Sequence, residues 1–562
     1  MKKTRRVFCL ILGVIMCASL LAGCGNGEQQ TSSSAPPAES SAAPSASSSP
    51  AANSGAAAPS PTTSSIFGDV GSMTLTGDEE TEETRYREEL TIIIDQNTIS
   101  AIDSFSPGTP NVTRWALYCF LDRLVTEVSG EYQPMLATSW ETTDWQHFNF
   151  KLRDDIYFHN GEKFTADDIV YTVERASNSP GAVSYDWLSG IDNIEVVNDY
   201  EINITLAGVN VDFLYFLSQP HSGIVNRKAC ETDEEKGVFI GTGPWVVDEF
   251  VPSEYVTFLR NEDYWRELPK TKVLTLKYVA NIAAKVMMLE KDEAQFALGL
   301  DPSDFPYLES SPEFDTYKYT DNNCQWMGFN MNDPICSDIN FRKAIASVIN
   351  TEELALACRN GYAVPETTGS FWGFATEFKD NSIPQIPYDI EKAKEYLEMS
   401  SYNGETVEIV AAFADKLIMS EWIQEQCKAI GVNIEIYQTD VAGMGAYAKF
   451  TDNQAQMISH TGSWSNLATS VRAYYYPNAS SNRASYVNDE VTALLDLAPS
   501  ITDTAEREKI YKQIQQLAAQ DIPFINIYYL TQVAACLPGL AGITLKADSG
   551  HDFSYVYMPI TD

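Results

Sequence analysis

Histidine is scarce in this chain, and the motifs of common histidine-dependent hydrolases are missing from it. The 562 residues include five histidines, at positions 147, 159, 221, 460 and 551. None stands in His-x-x-x-His spacing, and neither Gly-x-Ser-x-Gly nor His-Glu-x-x-His occurs. The acid pairs Asp154/Asp155 and Asp167/Asp168 are adjacent in sequence, so their side chains diverge in a strand or a helix. These absences predict a protein that is not an enzyme and has no metal site or cofactor.

Positive charge is also scarce. The chain has 38 Lys and Arg against 77 Asp and Glu, which gives a formal net charge of −39 at pH 7. So negative a chain is repelled by phosphate backbones and by anionic lipid headgroups. The composition therefore excludes nucleic acid as an expected partner.

Cysteine pairs with metal-binding or redox spacing are absent as well. Ten cysteines are present, and no Cys-x-x-Cys occurs among them. Cys9, Cys17 and Cys24 lie near the N-terminus, so an odd number, seven, remains in the body of the chain. A bridge between Cys324 and Cys336 is one interpretation of this set. Buried free thiols are the interpretation that the odd count favours.

Long hydrophobic runs are limited to one segment at the N-terminus. Four basic residues precede an apolar run at residues 7–22, which is short for a membrane-spanning helix and typical of a secretory signal peptide. The Leu-Ala-Gly before Cys24 resembles the lipobox of bacterial lipoproteins, in which the signal is cut before a cysteine that carries a diacylglycerol. We therefore expect residues 1–23 to be a lipoprotein signal peptide and Cys24 to be the lipidation site. An ordinary signal peptide with a chance cysteine is the alternative.

The segment after Cys24 has the composition of a tether. Residues 25–65 are almost entirely Ser, Ala, Pro, Thr and Gly, and an acidic run, "GDEETEETRYREE", ends at Glu89. Neither piece has enough apolar surface to offset the entropy lost on ordering. We expect residues 24–85 to be a disordered tether. About 60 such residues reach roughly 40–45 Å, and two acyl chains anchor the protein stably to the outer face of the cytoplasmic membrane.

The body of about 475 residues, too long for one ordinary core, alternates extended and helical patterns. "LTIIID" at 90–95 predicts a buried strand, and "FNFKLRDDIYF" at 148–158 has the period of two of a half-buried strand. Thr165 and Asp338 stand where helix N-caps are expected. Helix, turn and strand follow one another repeatedly in the second half. The pattern predicts an α/β protein with mixed sheets.

Four stretches together resemble the family 5 extracellular solute-binding proteins. The first, at 132–176, contains "LATSW", "LRDD", "FHNGEKF" and "ADDIV". The second, "GTGPWVVDEFVPSEYVTFLRNEDYW" at 241–265, combines a Gly-Thr-Gly-Pro turn with Arg-Asn-x-x-Tyr-Trp. The third and fourth are "MGFNMNDPICSDINFRKAIASVINTEEL" at 327–354 and "YDIEKAKEYLE" at 388–398. The stretches agree with the family in order and spacing from about residue 90 to the C-terminus.

The resemblance implies the two-lobed fold of periplasmic binding proteins, of the large cluster C type, with mixed sheets and a hinge between the lobes. In these proteins a ligand is enclosed by hinge closure. We expect a first lobe formed by residues 86–317 and 523–562, and a second lobe formed by residues 318–522.

The resemblance also implies a function. Members of this family are the capture subunits of ABC importers for dipeptides, oligopeptides and nickel, and deliver their ligand to a permease with its ATPase subunits. A peptide is the favoured ligand, and oligosaccharides or nickel chelates are the alternatives. A sensor that hands its ligand to a receptor is a further alternative. We expect a lipid-anchored monomer on the extracellular face of the membrane.

The ligand-binding residues are expected near "SHTGSWSNLATSVRAYYYP" at 459–477. Peptide-binding relatives hold the ligand's amino group with an aspartate shortly after a Gly-x-Trp or Gly-Trp motif; Trp464 matches the tryptophan, but Leu467 stands at the aspartate position. Either Asp103 or Asp212 supplies the carboxylate, or the ligand has no amine there. Side chains for a neutral ligand would include Trp464, Ser465, Asn466, Trp372, Tyr474 and Trp115. Apart from Trp464, each of these aromatic residues is expected in a core more often than in a cleft.

Overall fold

The computed structural model describes residues 72–77, 84–94, 101–106, 113–128, 130–180, 182–374, 376–462 and 467–560. The predicted signal peptide, Cys24 and most of the predicted tether lie outside these residues. Within them, the structure contains no helix with the length and apolar character needed to span a membrane.

Strands and helices alternate along the described chain. The strands are β1 Ser72–Thr74, β2 Glu89–Ile94, β3 Val125–Val128, β4 Glu131–Pro134, β5 Ala137–Glu141, β6 His147–Leu152, β7 Ile191–Asn198, β8 Glu201–Leu206, β9 Trp245–Val251, β10 Tyr255–Arg260, β11 Val273–Tyr278, β12 Phe296–Ala297, β13 Asp315–Phe329, β14 Ala363–Pro365, β15 Thr406–Ala411, β16 Asn433–Gln438, β17 Ala448–Lys449, β18 Asp452–Asn453, β19 Met457–Gly462, β20 Phe524–Cys536 and β21 Thr544–Lys546. The helices are α1 Arg114–Phe120, α2 Ala166–Ser177, α3 Val183–Leu188, α4 Phe213–Ser218, α5 Arg227–Thr232, α6 Glu234–Gly237, α7 Ile282–Glu290, α8 Phe305–Ser310, α9 Ile339–Val348, α10 Thr351–Arg359, α11 Ile390–Glu398, α12 Ala414–Lys428, α13 Val441–Tyr447, α14 Leu467–Tyr475, α15 Asp489–Leu497 and α16 Thr504–Asp521.

Local sequence signals account for several of these elements. Thr165 caps α2 in a capping box, in which the Asp168 carboxylate accepts the Thr165 backbone N–H at 3.0 Å. The Asp338 side chain caps α9 by accepting from the Asn340 backbone N–H at 2.8 Å. Residues 90–94 of the apolar run "LTIIID" lie in β2, as predicted, and residue 95 lies outside the described residues. The alternating pattern at 148–158 forms a shorter strand than predicted, because β6 ends at Leu152.

The largest sheet has the strand order β16-β15-β19-β13-β20-β12-β2-β11-β10-β9, with β14 also paired to β20. Strand β2 is parallel to β11, and β15 is parallel to β16 and β19, whereas β13 and β20 are antiparallel. A second sheet has the order β5-β6-β8-β7. The prediction of an α/β protein with mixed sheets is therefore confirmed.

The apolar cores divide the chain into two parts. Two clusters of buried side chains come from residues 75–319 and 533–558, and two further clusters come from residues 324–530. We call the first part lobe 1 and the second part lobe 2. Residues 320–323 and 531–532 lie between the two sets of cores, and the lobe bounds expected from the sequence, 317/318 and 522/523, stay a prediction.

The strands β13 and β20 connect the lobes. Asp315–Thr320 of β13 pair with the lobe 1 end of β20, and Cys324–Gly328 pair with its lobe 2 end. Between these two ladders, residues 321–323 of β13 stand opposite Leu530 alone. The sheet pairing is thus interrupted where the cores divide, which is where a two-lobed protein can bend.

The N-terminal boundary of the folded body differs from the prediction. Strand β1 lies within the range expected to be a tether, yet it pairs with β21 in antiparallel register. Leu75 is buried in the core of lobe 1, and its backbone N–H donates to the Ile543 carbonyl at 2.8 Å. The prediction of disorder is therefore wrong for residues 72–77. The composition argument missed this segment because three paired residues next to an acidic run leave little apolar signal.

Candidate ligand-binding site

The loop at 546–551 joins helix α1 to the interrupted part of β13. The Trp115 indole N–H donates to the Ser549 carbonyl at 2.6 Å, and the Asn323 amide donates to the Ser549 hydroxyl at 3.0 Å. The Asn322 backbone N–H donates to the Ala547 carbonyl at 2.7 Å. Movement of lobe 2 about residues 321–323 would therefore act directly on this loop.

A cavity of about 450 Å³ lies beside this loop. Its volume is within the range of small-molecule sites. Its wall is mostly polar and comes from lobe 1, with Asn322 as the contribution from the interrupted part of β13. The charged lining residues are Asp122, Arg123, Glu127, Arg266, Lys546, Asp548 and Asp552. Ser72 and Thr74 of β1 also line it, so the N-terminal strand closes part of its wall.

The lobes meet again away from β13 and β20. The Val211 backbone N–H in lobe 1 donates to the Pro499 carbonyl in lobe 2 at 3.1 Å. Next to it, an Asp212 carboxylate oxygen lies 3.9 Å from the Arg507 guanidinium, and both side chains are more than four-fifths buried. We call these four residues the interlobe contact. The lobes therefore contact one another at a place other than the connecting strands.

Acidic groups dominate the charge at the interlobe contact. Burial raises the pKa of Asp212, and Arg507 lowers it by less. Partial burial of its carboxyl group likewise raises the pKa of Glu377 in lobe 2, with Arg507 lowering it and Asp212 raising it further. One guanidinium thus faces two carboxylates, that of Asp212 in lobe 1, which is mostly buried, and that of the more exposed Glu377 in lobe 2. Without it, the carboxylates would repel one another across the contact.

Three of the predicted site residues, Trp464, Ser465 and Asn466, lie outside the described residues. The chain on either side of them is described: β19 ends at Gly462, and α14 begins at Leu467. His460 of β19 stacks on Trp326, with ring centroids 5.4 Å apart.

The other predicted aromatic residues lie in cores. Trp372 is fully buried in lobe 2, and its carbonyl accepts from the Tyr529 hydroxyl at 2.7 Å. Tyr474 is 6% exposed and packs edge-on against Trp326 and Phe371. Trp115 is 2% exposed in the core of lobe 1. In this conformation, their packing favours the core interpretation that the sequence left open.

The two candidate carboxylates for an ammonium group have different surroundings. Asp103 lies 3.0 Å from the Arg175 guanidinium and accepts from the Phe105 backbone and the Ser106 hydroxyl. Its charge is therefore already balanced. Asp212 faces Arg507 at the interlobe contact, and its second carboxylate oxygen is buried without a hydrogen-bond partner among the described residues.

The sequence analysis missed the charged residues of the cavity. Asp122 and Arg123 stand inside the apolar run "WALYCFLDRLV", and both are at least 95% buried. Charged residues are almost never fully buried unless paired, so their place in an apolar run was the available signal. Lys546 has no such signal, because only the fold brings it to the cavity.

The seven cysteines of the body are all free thiols. Cys324 and Cys336 are both buried, so the alternative of a bridge between them is wrong. Burial raises the pKa of the Cys336 thiol well above its usual value. Within the described residues, no group of three or more His, Cys, Asp or Glu side chains could hold a metal ion.

We expect His551, next to the cavity, to make stability depend on pH. The Lys546 backbone N–H donates to its Nδ1 at 3.0 Å, and burial lowers its pKa to about 3. Because an unfolded histidine takes up a proton below about pH 6.5, the unfolded state gains protons that the fold excludes. Stability present above pH 6.5 is then lost as pH falls, by about 2 kcal/mol at pH 5.

Urea unfolding at pH 7 and pH 5 checks this expectation. The His551→Gln variant should lose about 2 kcal/mol less than the unmodified protein between the two pH values. Equal losses in the two proteins would contradict the assignment of this pH dependence to His551.

Two lobes joined by a pair of long strands, with a further contact between the lobes, are the architecture of ligand-binding proteins that close by a hinge. A family model described as bacterial extracellular solute-binding proteins, family 5 Middle, matches residues 131–486. The chain belongs to this family. The resemblance inferred from the four sequence stretches is therefore confirmed, and family membership supports a binding protein rather than an enzyme.

Individual relatives are similar along most of the chain. The glutathione-binding protein GsiB of Escherichia coli K12 is 25% identical over 441 residues, which cover 75% of this chain and 85% of GsiB. The periplasmic binding protein DppA of Helicobacter pylori, solved with the peptide STSA, matches with a TM-score of 0.72 and 23% identity over 85% of this chain and 99% of DppA. NikA of Brucella suis, solved with Fe(III)-EDTA, matches with a TM-score of 0.74 and 20% identity over 84% of this chain and all of NikA. The predicted two-lobed fold is confirmed by these structures.

Proposed function

We propose that this chain is the substrate-binding subunit of an ABC importer, which captures a peptide or similar small solute between its lobes and delivers it to the permease and ATPase subunits. The observation that supports this most is the division of the cores at the interrupted ladder of β13 and β20. A protein built this way can open and close around a ligand without breaking either core. It would act as a monomer, since each lobe contributes one wall of the space between them.

The hinge in this proposal is residues 321–323 together with Leu530. Lobe 1 then consists of the chain up to residue 320 and from residue 531 onward. A ligand favours the closed form only by the difference between its affinities for the closed and open forms. Ligand contacts from lobe 2 are the part of the site that creates this difference.

We choose the ligand class from the solutes of the relatives and from one position, Leu467, at which this chain differs from the peptide-binding relatives. GsiB is named as a glutathione-binding protein, DppA was solved with a peptide and NikA with a metal chelate, so the family scaffold accepts several solutes. A peptide is our first choice, with Trp464, Ser465 and Asn466 as contacts in lobe 2. Because Leu467 replaces the expected aspartate, a peptide's ammonium group would need another carboxylate, and Asp212 is the one with an unsatisfied oxygen. An oligosaccharide or another neutral solute is the second candidate.

Anchoring belongs to the same proposal. Residues 1–23 would be removed as a signal peptide, and Cys24 would carry the lipid that holds the protein on the outer face of the membrane. Radiolabelled palmitate should then label the protein, and Cys24→Ala should abolish the labelling. An unlabelled protein would contradict the anchor while leaving the capture proposal intact.

The experiment that tests delivery is uptake by cells of the source strain. A strain lacking this chain should lose uptake of the solute that co-purifies with the protein, identified by native mass spectrometry. Restoring the chain should restore uptake. Unchanged uptake would contradict an importer subunit and favour the sensor alternative.

We expect Arg507→Gln to open the interlobe contact. The substitution leaves the mostly buried Asp212 carboxylate without a cation from the other lobe and removes the charge that offsets Glu377, so the form in which the lobes touch becomes less favourable. The Val211 amide reports this directly, because its hydrogen-bond acceptor, Pro499, lies in the other lobe. Its hydrogen exchange should accelerate about tenfold, which corresponds to ~1.4 kcal/mol.

Arg472→Gln is the matched control, because Arg472 also lies in lobe 2 but pairs with Asp496 of the same lobe at 2.9 Å. It should leave the exchange of the Val211 amide unchanged. Equal exchange rates in the two variants would show that Arg507 does not hold the lobes together.

A further inference from the structure

The cavity beside the loop at 546–551 contains a buried cation, Arg123, whose charge lowers the pKa of the neighbouring Asp122 without a direct ion pair between them. Arg123 is 5% exposed, and none of the described carboxylates forms an ion pair with it. One of its terminal nitrogens donates to the Thr126 hydroxyl at a long 3.4 Å, and its Nε is buried without a hydrogen-bond partner among the described residues. A buried charge with so few partners is costly unless a further group balances it.

A second cation, Lys546, contacts the same side chain as Arg123, that of Tyr118. The Lys546 ammonium donates to the Tyr118 hydroxyl at 3.2 Å and lies 5.1 Å from the centroid of its ring. The Arg123 guanidinium lies 5.0 Å from the same centroid. Two cations therefore lie close to the ring of Tyr118, and the side chains of Tyr118, Arg123 and Lys546 all line the cavity.

The carboxylates that line the cavity already accept hydrogen bonds from other groups of the protein. Asp122 accepts from the Thr242 hydroxyl at 3.0 Å, the Trp265 indole at 2.9 Å and the Tyr264 hydroxyl at 3.3 Å. Arg123 lowers the pKa of Asp122, but the carboxylate directs its hydrogen bonds to these three donors and not to the guanidinium.

The other carboxylates are held in a similar way. Asp548 pairs with Arg114 at 3.2 Å and accepts from the Gly550 backbone at 2.9 Å. Asp552 accepts from the backbone and hydroxyl of Ser554, and Glu127 accepts from the Gly130 backbone at 2.6 Å. The protein thus uses its acids on other donors and leaves Arg123 facing the cavity.

We propose that this cavity is a binding site for the carboxylate group of a small organic solute, held by the Arg123 guanidinium with Tyr118 and Lys546 beside it. A guanidinium suits a carboxylate because its N–H groups form charge-assisted, paired hydrogen bonds. The volume of about 450 Å³ accommodates a small solute rather than a polymer. The site goes beyond the capture of a solute between the lobes, since its wall comes from lobe 1 apart from Asn322.

Calorimetric titration of the full chain with matched acids and amides tests the site. The probes are acetate, succinate and trialanine, each against the amide that lacks its carboxylate charge, with inorganic phosphate as a separate arm. At least one acid should bind about tenfold or more tightly than its amide, as expected for charge-assisted hydrogen bonds. Arg123→Gln should remove this preference, and Arg123→Lys should keep part of it.

Arg227→Gln is the control, because Arg227 is also in lobe 1 but pairs on the surface with Asp167 and Glu231. It should keep the full preference for the acid. The proposal is overturned if no acid is preferred over its amide, if Arg123→Gln retains the preference, or if phosphate binds as tightly as the best acid. If Arg123→Gln does not fold, the comparison of acids with amides in the unmodified chain and in Arg123→Lys still decides.

The proposed carboxylate site and the proposed capture function can be disproved independently. Peptide-dependent closure that persists in Arg123→Gln, with the acid preference lost, would support both. Closure that persists in an unmodified chain without any acid preference would overturn the site alone.

Discussion

Replacing Glu366 by Ala is expected to destabilise lobe 2 by about 3–5 kcal/mol. Glu366 and Lys379 form a buried ion pair, with 2.9 Å between Oε2 and Nζ and exposures of 2% and 8%. The same carboxylate also accepts from the Asn526 amide at 3.1 Å and from the Tyr529 hydroxyl on β20. Removing it leaves the Lys379 ammonium buried without its counter-ion, and this accounts for most of the loss.

Urea unfolding measures this loss, and a surface pair provides the control. Glu391 pairs with Lys394 at 2.7 Å on α11, where both side chains are largely exposed. Glu391→Ala should therefore cost less than about 1 kcal/mol. In the double variant Glu366→Gln with Lys379→Met, the loss should be smaller than the sum of the single losses, because neither charge remains unpaired. Similar losses for Glu366→Ala and Glu391→Ala would contradict the account of this network.

The second large effect is expected at Gly241, in the Gly-Thr-Gly-Pro turn. A Cβ atom at this position would lie 1.8 Å from the Phe120 carbonyl oxygen, which is backbone and cannot rotate away. The turn is fixed there because the Gly243 backbone N–H donates to the same carbonyl at 3.1 Å. Gly241→Ala must therefore displace the end of α1, and we expect a loss of about 3 kcal/mol.

Gly208→Ala is the matched control for this substitution. No atom lies within 4 Å of a Cβ built at Gly208, and its backbone is not in the left-handed region. Its effect on the midpoint of urea unfolding should stay within about 0.5 kcal/mol. If the two alanine variants unfold at the same urea concentration, close backbone approach is not the reason for glycine at 241.

Local elements could be predicted from the sequence because their causes are local. The capping box at Thr165 and the apolar run of β2 depend on a few neighbouring residues, and both are found in the structure. The connection of the lobes by β13 and β20 could not be predicted, because it depends on pairing between residues about 200 positions apart. The interruption at residues 321–323 is visible only in that register.

The candidate site shows the same limit. Aromatic residues were chosen because they can bind a ligand, but the same property makes them core residues, and burial of Trp372 and Tyr474 is decided by neighbours far away in sequence. The sequence motif identifies Trp464 by its position in the chain, but it does not show which residues the Trp464 side chain contacts. For Arg123 the sequence does contain a signal, a charge inside an apolar run, and the structure gives it a chemical meaning.

Small-angle X-ray scattering of the purified chain, titrated with pools of short peptides and of oligosaccharides, tests the central claim most directly. We predict that at least one pool lowers the radius of gyration, because the bound solute draws lobe 1 and lobe 2 together about residues 321–323. A radius of gyration that stays constant with every pool would contradict a receptor that closes around a small solute.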